Sequence, residues 1–451
     1  MVIYLCFLES IILLLFIFVS GLKNKIRFRI KKFLSTYSIK NYHQSTDNYN
    51  EFLYWFSGFS DAEGNFLVTI DRSYVKLRFK INLHLDDLAV LYIIQSRLGF
   101  GRVVKEPKRN SCYYIVEDIL NVTKLCDILK NYPLHTSKKL DFNSFYEVLL
   151  IKINNKTLSD KNIEKIRSIK NSMNSKREIF ICNVSESQII IDPNWFIGFI
   201  EGEGTFGIKT GSSLYFQVAQ KNTSQDCLNS ITQFLLNLSK NLIIDNDLSK
   251  KIQPINVLNS INVRTNVVSL SIASVDALYY YLLPFLEKYS FYSRKEVDFK
   301  LWRMALILKI KGYYYTTEGK NLFLDISEIL NKRYSTNPLT EDVNSVIDIL
   351  IERFNNILRQ DPPFNVNLNI PHIENVRKYS IANRSENPKT VYIYVDNEMI
   401  KGSPFSSYSS AHKALGLKPS SNTCNRYIDT NRLYKNKYIF TSKPIDSASR
   451  G

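Results

Sequence analysis

Two stretches of the chain carry apolar residues at helical spacing and end in the same polar signature. Residues 51–63 and 193–203 each predict a helix with one apolar face. A glycine follows each stretch, Gly64 or Gly204, and an apolar run containing a phenylalanine comes next. We expect these glycines to end the helices in the left-handed conformation that is common after a last turn.

The two stretches repeat one motif in register. Residues 56–64 read FSGFSDAEG and residues 196–204 read FIGFIEGEG, each directly after a tryptophan. A single copy is typical of an ordinary amphipathic helix with a glycine stop. Two copies with their acids aligned favour two versions of one fold, each bringing a carboxylate to a shared place.

Small residues lie four apart on both predicted helices. Gly58 pairs with Ala62, and Gly198 pairs with Gly202. That spacing puts each pair on one face, one turn apart, so two helix backbones can approach closely. We expect the two halves of the chain to pack together along this face.

The last acid of each motif stands where a carboxylate is disfavoured. Glu63 and Glu203 fall in the last helical turn, where the helix dipole opposes a negative charge by about 0.3–1 kcal/mol. Two such ends side by side add like-charge repulsion. A hard divalent cation with oxygen ligands compensates both costs, and Mg²⁺ is the expected ion. Carboxylates around such ions suit attack on a phosphodiester.

The motif resembles that of the LAGLIDADG homing endonucleases in their two-motif, single-chain form. The resemblance covers roughly residues 51–335. It implies an α+β protein with two pseudo-symmetric αββαββα halves, whose saddle-shaped antiparallel sheets lie along DNA. It also implies a monomer that acts on double-stranded DNA.

The resemblance implies a role for each motif position. Glu63 and Glu203 would bind metal, helped by the backbone carbonyls of Ala62 and Gly202. At the helix interface, Asp61 and Glu201, the sixth residues of their motifs, would brace the two motif helices. Gly58 and Gly198 would pack closely beside them.

A second repeat supports the same resemblance. Lys138 and Lys295 each begin the pattern Lys-x-x-Asp-Phe ahead of an apolar stretch (145–153 or 301–310). The resemblance implies that both lysines point into the active site and stabilise charge there. A surface lysine in a first helical turn is the alternative for each.

A glutamine occurs in only one half. Gln220 lies in a predicted strand and resembles the glutamine that orients water in this family, while Leu83 stands at the matching place in the first half. Either the two halves are asymmetric or the first-half chemistry is weakened. A solvent-facing glutamine is the alternative for Gln220.

Composition bounds the possible functions. The 451 residues include 59 Lys or Arg against 42 Asp or Glu, a net charge of +17, which is compatible with a polyanionic partner. An AT-rich coding sequence also favours lysine. The six cysteines have no C-x-x-C spacing and no histidine partners, so a zinc site or a disulfide framework is not expected.

The amino end differs from the rest. Residues 3–19 are apolar except for Glu9 and Ser10, and residues 21–45 hold seven Lys or Arg and no acid. This pattern predicts either a short membrane segment with its basic flank on the matrix side or a cleaved leader. An upstream-exon remnant would fit an organellar intron product.

The carboxyl end predicts a further unit. Residues 388–451 hold ten Lys or Arg against four Asp or Glu, with a strand, two short helices and a closing strand. The stretch resembles the nuclease-associated modular DNA-binding domains, with a helix-turn-helix-like centre suited to the major groove. An ordinary basic appendage is the alternative. Candidate base readers are Asn422, Thr423, Asn425 and Arg426, and candidate phosphate contacts are Lys435 and Lys437.

These patterns divide the chain into five parts: a leader (1–45), two motif halves (46–185 and 186–335), a linker with a helix (336–387) and the modular domain (388–445). The leading hypothesis is a mitochondrial, Mg²⁺-dependent, site-specific endonuclease that promotes intron mobility. The alternatives are a maturase that binds its host intron RNA and a DNA-binding regulator without catalysis.

Overall fold

The computed structural model describes residues 49–72, 74–155, 157–180, 189–209, 213–241, 251–331, 343–363, 367, 370–382 and 390–445. The predicted leader, including segment 3–19, lies outside these residues. None of the described helices combines the length and the apolar character that a membrane crossing requires.

The first half alternates helices with two antiparallel hairpins. In chain order its elements are α1 Tyr49–Glu63, β1 Gly64–Asp71, β2 Tyr74–His84, α2 Leu88–Leu98, β3 Arg102–Glu106, β4 Ser111–Val116, α3 Ile119–Asn131, α4 Lys138–Asn154 and α5 Asp160–Asn171.

The second half repeats that order. Its elements are α6 Pro193–Glu203, β5 Gly204–Ile208, β6 Leu214–Lys221, α7 Gln225–Asn241, β7 Leu258–Asn262, β8 Val267–Ile272, α8 Val275–Ala277, a π-helical segment Leu278–Leu282, α9 Leu283–Leu286, α10 Lys295–Ile310 and α11 Thr317–Ile329. The structure thus confirms the predicted α+β class with two matching halves.

The two sheets have the same topology and register. Their strand orders are β1-β2-β4-β3 and β5-β6-β8-β7, all antiparallel. Gly64 lies opposite Ile81, and Gly204 lies opposite Val218. Counting from these pairs, Leu83 and Gln220 occupy equivalent places, as the sequence comparison predicted.

Each sheet packs its apolar face on the helices of its own half. Phe66 and Phe206, the third residues of β1 and β5, are fully buried. Phe66 contacts Phe79, Phe142 and Phe145, and Phe206 contacts their counterparts Phe216, Phe299 and Trp302. The aromatic residue after each motif therefore anchors the helix that begins with the repeated lysine.

The motif glycines end their helices differently from our prediction. Gly204 has φ −78° and ψ 147°, an extended conformation, and it begins β5. Gly64 likewise begins β1 and is not among the described residues with positive φ. The prediction of a left-handed stop was therefore wrong. Close packing explains the glycines, since a Cβ atom would lie 2.6 Å from the Ser60 carbonyl oxygen or 2.5 Å from that of Ile200.

Several helix bounds also differ from the predicted ones. Helices α4 and α10 begin at the lysines themselves, well ahead of the apolar stretches that predicted them. In the region predicted as linker, α12 spans Val343–Leu358 and a second helix, α13, spans His372–Ala382. Sequence analysis missed α13, whose first amide donates to Asp276 Oδ1 at 2.8 Å.

The carboxyl-terminal unit is a three-stranded antiparallel sheet with two short helices. Its elements are β9 Tyr392–Val395, β10 Glu398–Met399, α14 Tyr408–Ala414, α15 Thr423–Tyr427 and β11 Tyr438–Thr441, with strand order β10-β9-β11. Buried residues of all but β10 form its core, among them Ile393, Ala411, Cys424 and Phe440. The two helices and the closing strand lie where the sequence predicted them, within a few residues.

This unit contacts the second half through charged side chains. Arg432 forms ion pairs with Asp325 and with Glu328, and Asp325 also pairs with Arg353. The Lys320 ammonium donates to the Ile428 carbonyl at 3.2 Å.

The two motif helices, α1 and α6, touch backbone to backbone. A Cβ atom on Gly58 would overlap the carbonyl oxygen of Trp195, and one on Gly198 would overlap that of Trp55. Neither position leaves space for a methyl group, so the helix separation depends on both glycines.

We expect Gly58→Ala to lower the free energy of unfolding by about 3 kcal/mol, because overpacking against backbone cannot be relieved by a rotamer change. Urea denaturation followed by circular dichroism measures this. Asn143→Ala, at an exposed site on α4, is the control and should change stability by less than about 0.5 kcal/mol. Equal midpoints for the two variants would contradict the close-contact interpretation.

Candidate active site

Two buried acids cross-link the motif helices. Asp61 accepts a hydrogen bond from Trp195 Nε1 at 3.2 Å, and Glu201 accepts one from Trp55 Nε1 at 2.7 Å. Each bond runs from the acid of one half to the tryptophan of the other. The two motifs are therefore held in register by a reciprocal pair of bonds.

The same two acids hold the segments ahead of the lysine helices. Asp61 also accepts from the backbone amides of His135 and Thr136, at 2.6 and 3.2 Å. Glu201 accepts in the same way from the amides of Tyr292 and Ser293. Burial raises the pKa of both carboxyl groups, and these hydrogen bonds oppose the rise.

Glu63 and Glu203 come together where the two helices end. A Cβ atom on Gly202 would lie 2.5 Å from the Ala62 Cβ and 3.0 Å from Glu63 Oε1, so the ends are in contact. Burial raises the pKa of both carboxyl groups, and the charge of Glu63 adds to the rise at Glu203. The close approach that the repeated motif predicted is present.

Both repeated lysines reach the motif helix ends. Lys138 Nζ donates to the carbonyl oxygens of Ala62 and Ser60, at 3.0 and 3.3 Å. Lys295 Nζ donates to the Gly204 carbonyl at 2.7 Å, and this residue is 6% exposed. Burial lowers the pKa of Lys138, while the nearby acids, Asp61 first, oppose that decrease. The surface-lysine alternative does not describe either residue.

The aspartate of each Lys-x-x-Asp-Phe repeat accepts a backbone hydrogen bond. Asp141 accepts from the amide of Asn174, and Asp298 accepts from that of Asn331. The same asparagine side chains donate to the carbonyls of Phe66 and Phe206, at 3.0 and 2.7 Å. The repeat thus ties each lysine helix to the strand that follows its motif.

The glutamine side chain is present at one acid only. Gln220 Nε2 donates to Glu203 Oε1 at 3.1 Å. Leu83, its counterpart, has no polar side-chain atom to offer Glu63. The two halves are therefore chemically unequal.

The donor set suits a hard cation. The two glutamates and the Ala62 and Gly202 carbonyls supply only oxygen, which Mg²⁺ and Ca²⁺ prefer. In the described part of the chain no three or more His, Cys, Asp or Glu side chains lie where they could hold one metal ion together. Water and phosphate oxygens would complete such a site. The Ala62 carbonyl already accepts from Lys138, which leaves one of its two lone pairs for an ion.

The acids face a cleft of about 890 Å³. Residues of both halves line it; they include Glu63, Asn82, Leu83, Asp87, Arg109, Glu203, Tyr215, Lys295 and Asn331. Sequence analysis missed Asp87 in this set. Its counterpart by register is Ser224, so comparing the halves gives no signal for it.

The candidate base readers of the carboxyl-terminal unit face the second half. Asn422, Asn425 and Arg426 line a cleft of about 450 Å³ together with Lys309 and Lys320. Burial lowers the pKa of each of these lysines to about 8.

The remaining candidates are placed differently. Thr423 begins α15 and its hydroxyl contacts Ser421 Oγ at 2.8 Å, while Lys435 and Lys437 are exposed beside tyrosine rings. The DNA contacts of all six residues stay predictions.

Comparison with known proteins identifies the family. The family model described as LAGLIDADG endonuclease matches residues 56–149 and 196–306. The chain belongs to the LAGLIDADG endonuclease family.

Two relatives are similar to this chain over most of their own length. An uncharacterized mitochondrial protein, RF1, of Saccharomyces cerevisiae is 27% identical over 90% of this chain and 85% of its own length. A probable intron-encoded DNA endonuclease, aI1, of Mycosarcoma maydis is 33% identical over 20% of this chain and 75% of its own. The RNA maturase alternative is not favoured by these findings.

Solved LAGLIDADG structures share the fold. The meganuclease I-CpaMI bound to uncleaved DNA is 26% identical, with a TM-score of 0.52 over 62% of this chain and 99% of its own. I-SmaMI bound to DNA in the presence of calcium ions is 22% identical, with a TM-score of 0.52 over 62% of this chain and 98% of its own.

The raised pKa values of the two glutamates predict a pH-dependent stability. A carboxyl group whose pKa is higher in the folded state stabilises folding at low pH, and that contribution is lost as pH rises from its unfolded value through its folded one. At pH 8 in EDTA, we expect Glu63→Gln with Glu203→Gln to raise the thermal midpoint by about 2–4 °C, or about 1 kcal/mol.

The increase in the thermal midpoint of the double glutamine variant should be smaller at pH 4, where the two wild-type carboxyl groups are mostly protonated. Glu164→Gln is the control: its side chain is 70% exposed and pairs with the half-exposed Arg167. Because such surface pairs contribute about 0.3–0.5 kcal/mol, it should change the midpoint by no more than about 1–2 °C at pH 8. A midpoint of the double variant below wild type at pH 8 would contradict the buried, repelling pair.

Proposed function

We propose that this protein is a site-specific endonuclease that uses divalent metal, Mg²⁺ in the cell, to cut both strands of double-stranded DNA. The observation that carries the proposal is the pairing of Glu63 with Glu203 at one cleft, each beside a lysine of its own half. Two pseudo-symmetric sites, one from each half, match the two antiparallel strands of a duplex.

The outward face of β2 supports DNA as the partner. Lys76, Arg78 and Lys80 alternate with the buried core residues of this strand and lead toward the cleft. Cations in such a row neutralise successive phosphates. The central strand of the second sheet is less charged, since Tyr215, Gln217 and Ala219 precede Lys221 on the outward face of β6. A glutamine side chain suits contacts to base edges.

The repeated acids, the repeated lysines and Gln220 have distinct tasks in this proposal. A divalent ion bound by the glutamates would supply Lewis-acid stabilisation of the phosphate and favour ionisation of the attacking water. Lys138 and Lys295 place positive charge beside the scissile phosphates, where negative charge grows in the transition state. Gln220 fixes the orientation of the Glu203 carboxylate by a direct hydrogen bond.

The names of the relatives support the biological setting. A mitochondrial protein and an intron-encoded DNA endonuclease are among the similar proteins. We propose a mitochondrial location and a target at the uninterrupted exon junction into which the host intron inserts. Both motifs lie in one chain, so a monomer holds the complete pair of sites.

The test is cleavage of a supercoiled plasmid that carries the intronless exon junction, by the full chain with Mg²⁺. We expect the wild type to linearise the plasmid and EDTA to stop the reaction. Glu63→Gln and Glu203→Gln should each slow linearisation about a thousandfold, equivalent to about 4 kcal/mol of transition-state stabilisation.

Glu164→Gln is again the matched control and should cut at the wild-type rate. Failure of the wild type with Mg²⁺, Mn²⁺ and Ca²⁺ alike would refute the nuclease, as would wild-type cutting by the double glutamine variant.

The missing glutamine predicts an unequal pair of sites. We expect Leu83→Gln to speed the slower strand about tenfold, because a hydrogen bond to a charged group contributes about 1.5 kcal/mol. Gln220→Leu should slow the faster strand by a similar factor. Single-turnover assays with a different label on each strand measure both rates. Equal strand rates in the wild type would contradict this asymmetry.

A further inference from the structure

The lysine helix of each half begins against a side chain of the opposite half. Arg294 directly precedes Lys295, and its backbone amide donates to Asp87 Oδ1 at 3.0 Å. Ser137 directly precedes Lys138, and its amide donates to Ser224 Oγ at 3.0 Å. The backbone angles agree closely, with φ −59° and ψ −11° at Arg294 and φ −56° and ψ −15° at Ser137.

The two contacts differ in their chemistry. The Arg294 guanidinium reaches Asp87 Oδ2 through Nε and Nη2, both at 3.1 Å, and also pairs with Asp86. The Arg294 and Asp87 side chains are 8% and 9% exposed. On the other side, the Ser224 hydroxyl donates to Ser137 Oγ at 3.2 Å, and Thr223 lies nearby. One contact is thus a buried ion pair and the other is a pair of hydroxyls.

The charged contact lies at the cleft. Asp87 lines the cleft beside Glu63, and the Asp87 charge contributes to the raised pKa of Glu63. Arg294 supplies the opposite charge from the residue next to Lys295. Lys295 is the first residue of α10. The contact between Arg294 and Asp87 therefore fixes the backbone next to it, and the Gly204 carbonyl accepts from its ammonium.

We propose that Asp87 and Arg294 are positioning residues for Lys295, and that Ser224 and Ser137 perform this task for Lys138. The proposal rests on the nuclease function proposed above. Asp87 accepts from the Arg294 amide through Oδ1 and from its guanidinium through Oδ2. Charge-assisted bonds of this kind fix direction more tightly than two hydroxyls, so the Glu203–Lys295 site is the more rigid one and cuts its strand first. The nicked duplex is then the substrate of the Glu63–Lys138 site.

The structure supplies the matched exchange that tests this. The double variant Asp87→Ser, Arg294→Ser replaces the charged contact at the start of α10 by a pair of hydroxyls. Ser224 and Ser137 form such a pair at the start of α4. Both buried charges are removed together, so neither is left without its partner. Ser224→Asp combined with Ser137→Arg is the reverse exchange.

The assay is single-turnover cleavage of the exon-junction duplex by the full chain with Mg²⁺, with a different fluorophore on each strand. The strand that Lys295→Ala slows more is assigned to the second-half site. We expect the double serine variant to slow that strand about tenfold and the other strand less than twofold. The reverse exchange should raise the cleavage rate of the strand that depends on Lys138, relative to the rate of the other strand.

Arg303→Ser is the control, because Arg303 lies on α10 and pairs with Glu287 at a half-exposed site. It should leave the strand ratio unchanged. If the double variant does not fold, Asp87→Asn keeps the shape and the acceptor atom while removing the charge, and it should shift the ratio in the same direction.

An equal slowing of both strands, or an unchanged ratio in folded variants, would overturn the positioning role. These outcomes are separate from failure of the nuclease proposal, in which the wild type would cut neither strand.

Discussion

The contact between the two motif helices at Gly58 and Gly198 sets the distances on which the cleft depends. Because no side chain separates the backbones there, the helix ends meet and bring Glu63 beside Glu203. The reciprocal bonds from Trp55 and Trp195 then fix the register of the pair. A small change of separation at the glycines would move both glutamates and the segments that carry the lysines.

At the four motif acids, burial and the neighbouring hydrogen-bond donors or lysines shift the carboxyl pKa in opposite directions. Each of the four motif acids has a raised pKa because it is buried, yet backbone amides, tryptophan nitrogens or lysines accompany them. Asp61 and Glu201 receive enough hydrogen bonds to serve as fixed acceptors. Glu63 and Glu203 receive fewer protein donors and stay directed to the cleft, which is where a cation has most to contribute.

Much of the fold and the site could be predicted because the chain repeats itself. Two aligned copies identified the acids and the lysines, and sheet register confirmed the match between Leu83 and Gln220. The resemblance to the family supplied the topology. The left-handed glycine stops were predicted from helix-ending rules alone. Both glycines instead begin a strand, where a Cβ atom would meet the carbonyl oxygen four residues earlier, and those rules do not consider the strand that follows.

The features that sequence reasoning missed are those in which the halves differ. Asp87 and Arg294 match Ser224 and Ser137, so the repeat hides them, and 207 residues separate the two charged partners. The α13 helix was missed because its amino end is held by Asp276, a contact between distant segments.

The unequal contacts also bear on why both halves share one polypeptide. Two copies of the first half would set each Asp87 against a Ser137, burying carboxylates without a guanidinium. Two copies of the second half would set each Arg294 against a Ser224 and leave that guanidinium without its acid. Only a first half paired with a second half places each of these charges against its opposite. If the halves were separated, each would therefore bind the other in preference to a second copy of itself. The two halves of this chain are complementary at this contact rather than interchangeable.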